Sequence, residues 1–199
     1  MLATETHKGF SCLAFKTAAS FRQWLSKNHG QTQGIWLIIY HKNSGVASIN
    51  YPDAVDQAIC YGWIDSKINQ RDENSFFQFF SPRNPKSNWS RVNKEKVERL
   101  LAAKKMAEPG LAMVALAQKT GTWTALDQVE QGIIPPDLDK ALSLYSNARS
   151  FFTAFPPSVK RGILEWINNA KQDSTRQKRI DATAAMAANN ERANQYIKK

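Results

Sequence analysis

The residues of this 199-residue chain that are best suited to chemistry lie in one stretch, between residues 51 and 93. A carboxylate, Asp65, directly follows a Gly-Trp-Ile step, and a proline-framed basic loop, Ser-Pro-Arg-Asn-Pro-Lys, follows at residues 81–86. A carboxylate at such a junction can orient Arg83, bind a ligand, or act as an acid or base. Acids beside glycine turns also occur for structural reasons, as turn caps or local ion pairs. The sequence leaves both interpretations of Asp65 open.

The basic loop predicts a site for an anion. Arg83, Lys86 and Arg91 flank the segment Ser87-Asn88-Trp89-Ser90, just before a predicted helix. Guanidinium groups and the unpaired backbone N–H groups at a helix start both bind anions. The prolines stiffen the loop, which reduces the entropy lost on binding. In the alternative interpretation, the polar side chains of this segment and Asn93 only cap helical turns, while the tryptophan fills the core.

Two tryptophans, Trp63 and Trp89, can stack on a base or a sugar, although burial in the core is the more frequent fate of such residues. The predicted ligand site therefore comprises Trp63, Asp65, Arg83, Lys86, Ser87, Trp89, Ser90, Arg91 and Asn93.

The sequence predicts neither a metal nor a cofactor. His29 and His41 lack partners at metal-ligand spacing. Cys60 ends a predicted helix, where the partial negative charge raises the pKa of a thiol, so we expect a buried, inert cysteine. A Gly-rich phosphate loop, a dinucleotide fingerprint, a nucleophile elbow and a zinc-protease helix are all absent from the sequence. Whether the chain is an enzyme stays uncertain, and the residues favour a binding protein.

Composition is that of a soluble globular protein, with 42% hydrophobic and 22% charged residues. Two cysteines, Cys12 and Cys60, make neither a disulfide framework nor a metal set, so a reducing cytoplasm is the expected location. The longest apolar run is far shorter than the roughly 20 residues of a membrane span. A formal net charge of +10 favours anionic partners such as small molecules, acidic proteins or nucleic acid. A merely solvated basic surface explains the charge equally well.

Apolar periodicity predicts strands and helices in the first half of the chain and helices alone in the second. Residues 35–41, rich in β-branched and aromatic side chains, are predicted to form a central strand. Residues 63–68 and 76–80 are predicted to pair as antiparallel strands, because their connection is too short for a crossover helix. After Pro85 the pattern is helical and begins with a helix capped by Asn93.

We therefore predict an α+β fold, with a small antiparallel sheet and helices in the N-terminal half and an all-helical C-terminal half. The expected domains are residues 10–90, which hold the Gly-Trp-Ile-Asp and Ser-Pro-Arg motifs, and residues 91–199. The two can also form one compact unit. Residues 1–9 are polar and are expected to fray.

Three segments together resemble the bacterial family called bacteriocin-protection, YdeI/OmpD-associated. They read A-I-C-Y-G-W-I-D-S at 58–66, F-S-P-R-N-P-K-S-N-W-S-R-V-N at 80–93, and A-K-Q-D-S-T-R-Q-K-R-I at 170–180. Tyr61 stands where the family pattern has Phe, Ser66 where it has Gly, and Ser81 where Thr is common. The resemblance extends from about Phe15 to Ala187. Among the predicted site residues, Lys86 and Arg91 lie outside the matched pattern, whereas Thr175 and Arg176 of the third segment match it.

The resemblance implies protection against bacteriocins or antimicrobial peptides, or association with a porin, and no established cofactor. Our first hypothesis is a protective protein that binds an anionic ligand or acidic partner at the basic loop. The second is an enzyme of unknown class that uses Asp65 beside Arg83. The third is a nucleic-acid-binding protein, driven by basic C-terminal helices such as residues 175–180.

Overall fold

The computed structural model describes residues 5–194 of the chain. Within this range the chain forms five strands and nine α-helices. The strands are β1 (Thr6–His7), β2 (Phe10–Ala14), β3 (Ile35–Tyr40), β4 (Trp63–Gln70) and β5 (Ser75–Pro82). The helices are α1 (Ala18–Asn28), α2 (Tyr51–Cys60), α3 (Arg91–Ala102), α4 (Glu108–Thr120), α5 (Asp127–Glu130), α6 (Pro136–Leu142), α7 (Ala148–Ala154), α8 (Pro157–Asn168) and α9 (Asp173–Ala188). None of these helices combines the length and apolar character that crossing a membrane requires.

The five strands form one sheet in the order β1-β2-β3-β5-β4. The predicted α+β class is confirmed, with every strand in the first half of the chain and helices alone in the second. The sheet is mixed, however, and not purely antiparallel, because β2 and β3 run parallel. The helix α1 carries the chain back across the sheet between these two strands, which is the connection that parallel pairing needs. The strands β4 and β5 pair antiparallel, as predicted.

At the N-terminus the structure departs from the expectation of fraying. Residues 6 and 7 form β1, which turns through Lys8 and Gly9 and pairs with β2. Both turn residues have positive φ, 49° and 81°, the backbone geometry of a tight hairpin. Arg71 ties this hairpin to the sheet by an ion pair with Glu5 at 2.8 Å. Residues 1–4, which belong to the same prediction, lie outside the described range.

The hydrophobic core of the N-terminal part, up to Thr124, lies between one face of the sheet and the helices. Along β3, Ile35, Leu37 and Ile39 face the core that contains α1 and α2, whereas Trp36 and Ile38 belong to a separate cluster on the opposite face. All five side chains are buried. The alternation follows from the two-residue period of a strand. Because both faces are covered, β3 is apolar along nearly its whole length.

The chain divides into two compact units, of which the first ends at Thr124 and the second begins at Ala125. The structure thus differs from the predicted boundary between residues 90 and 91. The reason is that α3 and α4 pack into the core of the first unit, through Val97 and Leu100 of α3 and Val114 of α4. Helical periodicity alone does not show which core a helix joins, so the change from mixed to all-helical sequence was a poor guide to the boundary.

The second unit is all-helical and has its own core. Four different helices contribute side chains that are completely buried in this core. They are Leu138 of α6, Phe152 of α7, Ile163 of α8 and Ile180 of α9. A short helix, α5, lies in the segment between α4 and α6. An ion pair between Arg176 of α9 and Asp137 of α6, at 2.7 Å, also links these two helices of the unit.

The end of α2 and the start of α4 approach each other very closely, and this approach requires glycine. A Cβ atom on Gly110 would lie 2.3 Å from the carbonyl oxygen of Cys60, which is closer than any real contact. Gly62, at the junction of α2 and β4, has φ +71°, and its Cβ would lie 3.1 Å from the carbonyl oxygen of Pro109. Glycine is favoured at positive φ because it has no Cβ to clash with the backbone. The Cys-Tyr-Gly-Trp segment is therefore constrained by packing.

We predict that Gly110→Ala lowers the free energy of unfolding of the first unit by about 2 kcal/mol or more, because the added methyl group meets rigid backbone. The measurement is urea-induced unfolding followed by circular dichroism. Gly30→Ala is the matched control, since Gly30 is exposed and has nothing within 4 Å of the added atom. We expect it to change stability by less than about 0.5 kcal/mol. Equal stability of the two variants would contradict the close approach.

Candidate functional site

Arg83, the centre of the predicted anion site, lies directly after β5 and is buried, with 6% of its surface exposed. Its backbone N–H donates to the carbonyl of Gly62 at 2.9 Å, which anchors the residue to the start of β4. The guanidinium carbon lies 3.9 Å from the centre of the Trp89 ring, and Nη2 donates to the carbonyl of Asn88 at 2.5 Å. The guanidinium group is thus stacked on an aromatic ring and held in one orientation.

The charge of Arg83 has no counter-charge among residues 5–194. No carboxylate there pairs with its guanidinium group, and its Nε is buried without a hydrogen-bond acceptor. Burial lowers the pKa of Arg83 to about 10, so the side chain remains protonated at neutral pH. A buried charge without a partner is strongly unfavourable. The Trp89 face and the Asn88 carbonyl compensate it only in part.

Both tryptophans of the predicted site are core residues. Trp63 is 1% exposed, and its Nε1 donates to the carbonyl of His29 at 3.1 Å. Trp89 is 3% exposed and packs against Trp123, with ring centres 5.0 Å apart. The structure therefore favours the alternative interpretation, in which these rings fill the core and offer no free face to a base or sugar. Trp89 still affects the site, because it supports the guanidinium group of Arg83.

The rest of the loop consists of turns and caps around an exposed lysine. Asn84 organises the turn, since its Oδ1 accepts from the backbone N–H of Lys86 at 2.9 Å and its carbonyl accepts from Ser87 Oγ at 2.7 Å. The side chain of Lys86 is exposed. Ser90, and not Asn93 as predicted, is the N-cap of α3, and its Oγ accepts from the backbone N–H of Asn93 at 3.4 Å. Serine at this position satisfies one of the unpaired donors of the first turn.

Arg91 takes part in a surface interaction on α3. It is exposed and forms an ion pair with Glu95, one helical turn later, at 2.6 Å. Exposed pairs of this kind contribute only about 0.3–0.5 kcal/mol. Arg91 and the buried Arg83 therefore have different environments.

Asp65 is hydrogen-bonded to Tyr51, and not to Arg83 as the sequence suggested. Its Oδ2 accepts a hydrogen bond from the hydroxyl of Tyr51 at 2.7 Å, and within the described residues it makes no hydrogen bond or ion pair with Arg83. Asp65 and Tyr51 instead line a cleft of about 360 Å³. The cleft is lined by Tyr51, Asp65, Ser66, Ile68, Phe76 and Gln78. The hypothesis of a shared Asp65–Arg83 pocket is therefore not supported by the geometry.

Sequence reasoning missed Tyr51 and Gln78 as residues of this cleft. Tyr51 is the first residue of α2, and its hydroxyl reaches β4 because the helix packs on the sheet face that carries Asp65. A shift of pairing register between Asp65 and Ile68 then places Ile68 opposite Gln78. The alternation of β5 predicts that Phe76, Gln78 and Phe80 share a face, but the register shift has no evident sequence signal.

The basic run predicted on the last helix is largely engaged within the second unit. The Nε of Arg176 donates to Asp137 Oδ2 at 2.7 Å, and the guanidinium of Arg179 lies 5.0 Å from the Trp166 ring centre while also donating to the Trp166 carbonyl. Of the basic side chains in residues 175–180, Lys178 alone is classed as exposed. This run therefore presents little free charge to a nucleic acid.

Within residues 5–194, no group of three or more His, Cys, Asp or Glu side chains could hold a metal ion. Cys60 is fully buried, as predicted, and this burial raises the pKa of its thiol. Cys12 is also buried, and both cysteines are free.

Tyr51 provides a test of the geometry of the cleft. Burial first, and then the hydrogen bond and charge of Asp65, raise the pKa of Tyr51 to about 12. We predict that Asp65→Asn lowers this pKa toward 10 but not fully, because burial remains. The measurement is an NMR titration of ¹³Cζ-labelled tyrosine. Asp56→Asn, on the same helix and paired with Arg99, is the control and should leave the Tyr51 titration unchanged. An unchanged titration in Asp65→Asn would contradict the pairing.

The same pair gives a pH dependence of stability with a defined sign. A phenol whose folded-state pKa lies above its ordinary value of about 10 keeps its proton in the folded state while the unfolded state loses it. The associated stability is complete below pH 10 and decreases as pH rises through about 12. Tyr51→Phe should remove this part of the alkaline destabilisation in pH-dependent unfolding curves.

Comparison with known protein families divides the chain at nearly the place where the fold divides it. Residues 13–113, just over half of the chain, match a family described as a domain of unknown function, DUF8412. Residues 131–190 match the model described as Bacteriocin-protection, YdeI or OmpD-Associated. Of the three segments that carry the resemblance in sequence, only the third lies inside this second match. None of the curated proteins and none of the solved structures matches the chain. The chain therefore belongs to the family of domain DUF8412, and its residues 131–190 match the bacteriocin-protection, YdeI or OmpD-associated family.

Proposed function

We propose that this chain is a protective binding protein that recognises an anionic group through Arg83. One observation carries the proposal, namely that Arg83 is a buried cation without a carboxylate partner among the described residues. The family description names protection against bacteriocins, and we extend that role to this chain as part of the proposal.

The environment of Arg83 suits a bound phosphate or carboxylate. Its guanidinium group is held by the Trp89 ring and the Asn88 carbonyl, so little side-chain entropy would be lost when an anion binds. Of its terminal nitrogens, Nη2 is already bonded, whereas Nη1 makes no hydrogen bond to a described residue and is not among the fully enclosed atoms. An anion at Nη1 would supply the missing counter-charge. The exposed Lys86, on the adjacent turn, would attract the same ligand.

The two other hypotheses receive less support. An enzyme that uses Asp65 beside Arg83 needs both groups in one pocket, and Asp65 is instead bonded to Tyr51. A nucleic-acid-binding face on the last helix needs free cations, and Arg176 and Arg179 are engaged within the second unit. The cytoplasm remains the proposed location, since two free buried cysteines suit a reducing compartment.

Binding of inorganic phosphate to the full-length chain tests the anion site. We expect saturable binding by isothermal titration calorimetry at low salt. In Arg83→Lys the affinity should fall by about tenfold, because lysine cannot reproduce the planar fork. Arg99→Lys is the matched control, since Arg99 is an exposed arginine already paired with Asp56 at 2.7 Å. Lys86→Ala should weaken binding only about two- to threefold, as a screened peripheral charge.

Two results would overturn the anion site. One is the absence of saturable phosphate binding by the folded native chain. The other is an equal loss of affinity in Arg83→Lys and Arg99→Lys, which would indicate a general response to net charge. Thermal unfolding of each variant establishes that it is folded before binding is interpreted.

Survival of bacteria that produce the chain tests the protective role. We expect the native chain to increase survival during exposure to a bacteriocin, and Arg83→Lys at equal protein level to lose most of this increase. Cells with and without the native chain that survive equally would contradict protection. Full protection by Arg83→Lys would leave the protective role in place but separate it from the anion site.

A further inference from the structure

The cleft beside Asp65 is a second candidate binding site, with the opposite charge preference. We propose that it binds an organic cation, that is, a primary ammonium or guanidinium group carried on an apolar stem. The proposal rests on the acceptors that face the cleft, on its aromatic and aliphatic walls, and on the absence of Lys and Arg from its lining.

Asp65 supplies a carboxylate that no cation of the chain neutralises. Its Oδ2 is held by the Tyr51 hydroxyl, which fixes the orientation of the carboxylate, and Oδ1 accepts no hydrogen bond from a described residue. Within residues 5–194 no Lys, Arg or His forms an ion pair with Asp65. A carboxylate that lines a cleft, with one oxygen anchored and the other without a donor, is prepared to accept from a charged N–H donor.

Gln78 adds a buried polar group to the same cleft. Only 4% of its surface is exposed, and its Nε2 donates to the carbonyl of Lys67 at 3.2 Å. Because this bond uses the nitrogen of the amide, Oε1 is the end that is not bonded to Lys67. The remaining atom, Oε1, accepts from no described residue and is not among the fully enclosed atoms, so it can accept from a ligand in the cleft. A ligand N–H group would satisfy it together with Asp65.

The walls of the cleft suit the stem that carries the cation. Tyr51 and Phe76 contribute aromatic rings, and Ile68 is exposed over 65% of its surface. Aromatic faces attract organic cations, and an exposed isoleucine gains free energy when an apolar group covers it. The volume of about 360 Å³ lies at the small end of ligand sites, which matches a single amine or one basic side chain.

A neighbouring cleft extends the negative character of this region. It measures about 630 Å³, shares Ile68 and Phe76 with the first cleft, and carries Asp72 and Glu73. Asp72 is already paired with Arg71, whereas Glu73 is exposed. Neither cleft has a Lys or Arg in its lining, although the chain carries a net charge of +10. The local chemistry therefore selects against anions at this place.

Hexylammonium and its uncharged analogue 1-hexanol are the probes that separate a cation site from a merely apolar cleft. We expect hexylammonium to bind the full-length chain saturably by NMR titration, with shifts in the backbone amides of residues 65–70 and 76–78, and to bind more tightly than hexanol. Asp65→Asn should weaken binding by about tenfold while keeping the shape of the side chain. Glu98→Gln is the control, because it removes one exposed carboxylate of the same unit outside the cleft.

Equal binding of hexylammonium and hexanol, or an unchanged affinity in Asp65→Asn, would overturn the proposal, as would shifts confined to other parts of the chain. The peptide acetyl-Gly-Lys-Gly-amide distinguishes the two sources of the ligand. Tighter, Asp65-dependent binding of this peptide than of hexylammonium would identify a basic polypeptide side chain, and weaker binding would identify a free amine. These results are independent of Arg83, so either site can fail alone.

Discussion

The close passage of α4 over the end of α2 is the constraint on which the first unit depends. The carbonyl of Cys60 accepts the backbone N–H of Ala107 at 3.1 Å, and Gly110 lies too near the same carbonyl to carry a side chain. The next junction, Gly62, turns the chain into β4, and its carbonyl accepts the backbone N–H of Arg83. One three-residue segment thus connects a helix end, a helix start, a strand and the buried arginine.

Both candidate sites are consequences of this junction. Trp63 begins β4 inside the core and determines which face of the strand points inward, so Asp65, two residues later, lies on the same face near the start of α2. On the neighbouring strand, Arg83 follows directly after the pairing of Trp63 with Pro82. A substitution that shifts Gly62 would therefore displace the carboxylate of one site and the guanidinium of the other together. Their separate tests have to be made with side chains beyond the junction.

The sequence was informative where local pattern decides structure and uninformative where distant segments meet. The apolar run of β3, the helix that ends at Cys60 and the pairing of β4 with β5 all follow from short-range periodicity and connection length. The parallel pairing of β2 with β3, and the entry of α3 into the first core, depend on contacts between segments far apart in the chain. For the same reason the motif residues were identified as important, but their partners were not.

Arg83 and Asp65 illustrate this difference in physical terms. The sequence suggested one pair, because a carboxylate directly after the Gly-Trp-Ile junction could orient the arginine of the basic loop. In the fold, the guanidinium group of Arg83 lies on the Trp89 ring, and the carboxylate of Asp65 accepts a hydrogen bond from the Tyr51 hydroxyl. Each partner holds the group without neutralising its charge.

Net charge is a poor indicator of the charge preference of the two candidate sites. Several of its arginines are neutralised inside the units, such as Arg71 by Glu5, Arg99 by Asp56 and Arg176 by Asp137. Such arginines add to the count of basic residues but attract anionic ligands only weakly, because each cation is screened by its own carboxylate. The informative charges are Arg83 and Asp65, which neutral groups hold in place and which have no counter-charge among the described residues. A charge held in place by neutral groups keeps its full attraction for a ligand of opposite sign, so a basic chain can hold a site for a cation as well as one for an anion.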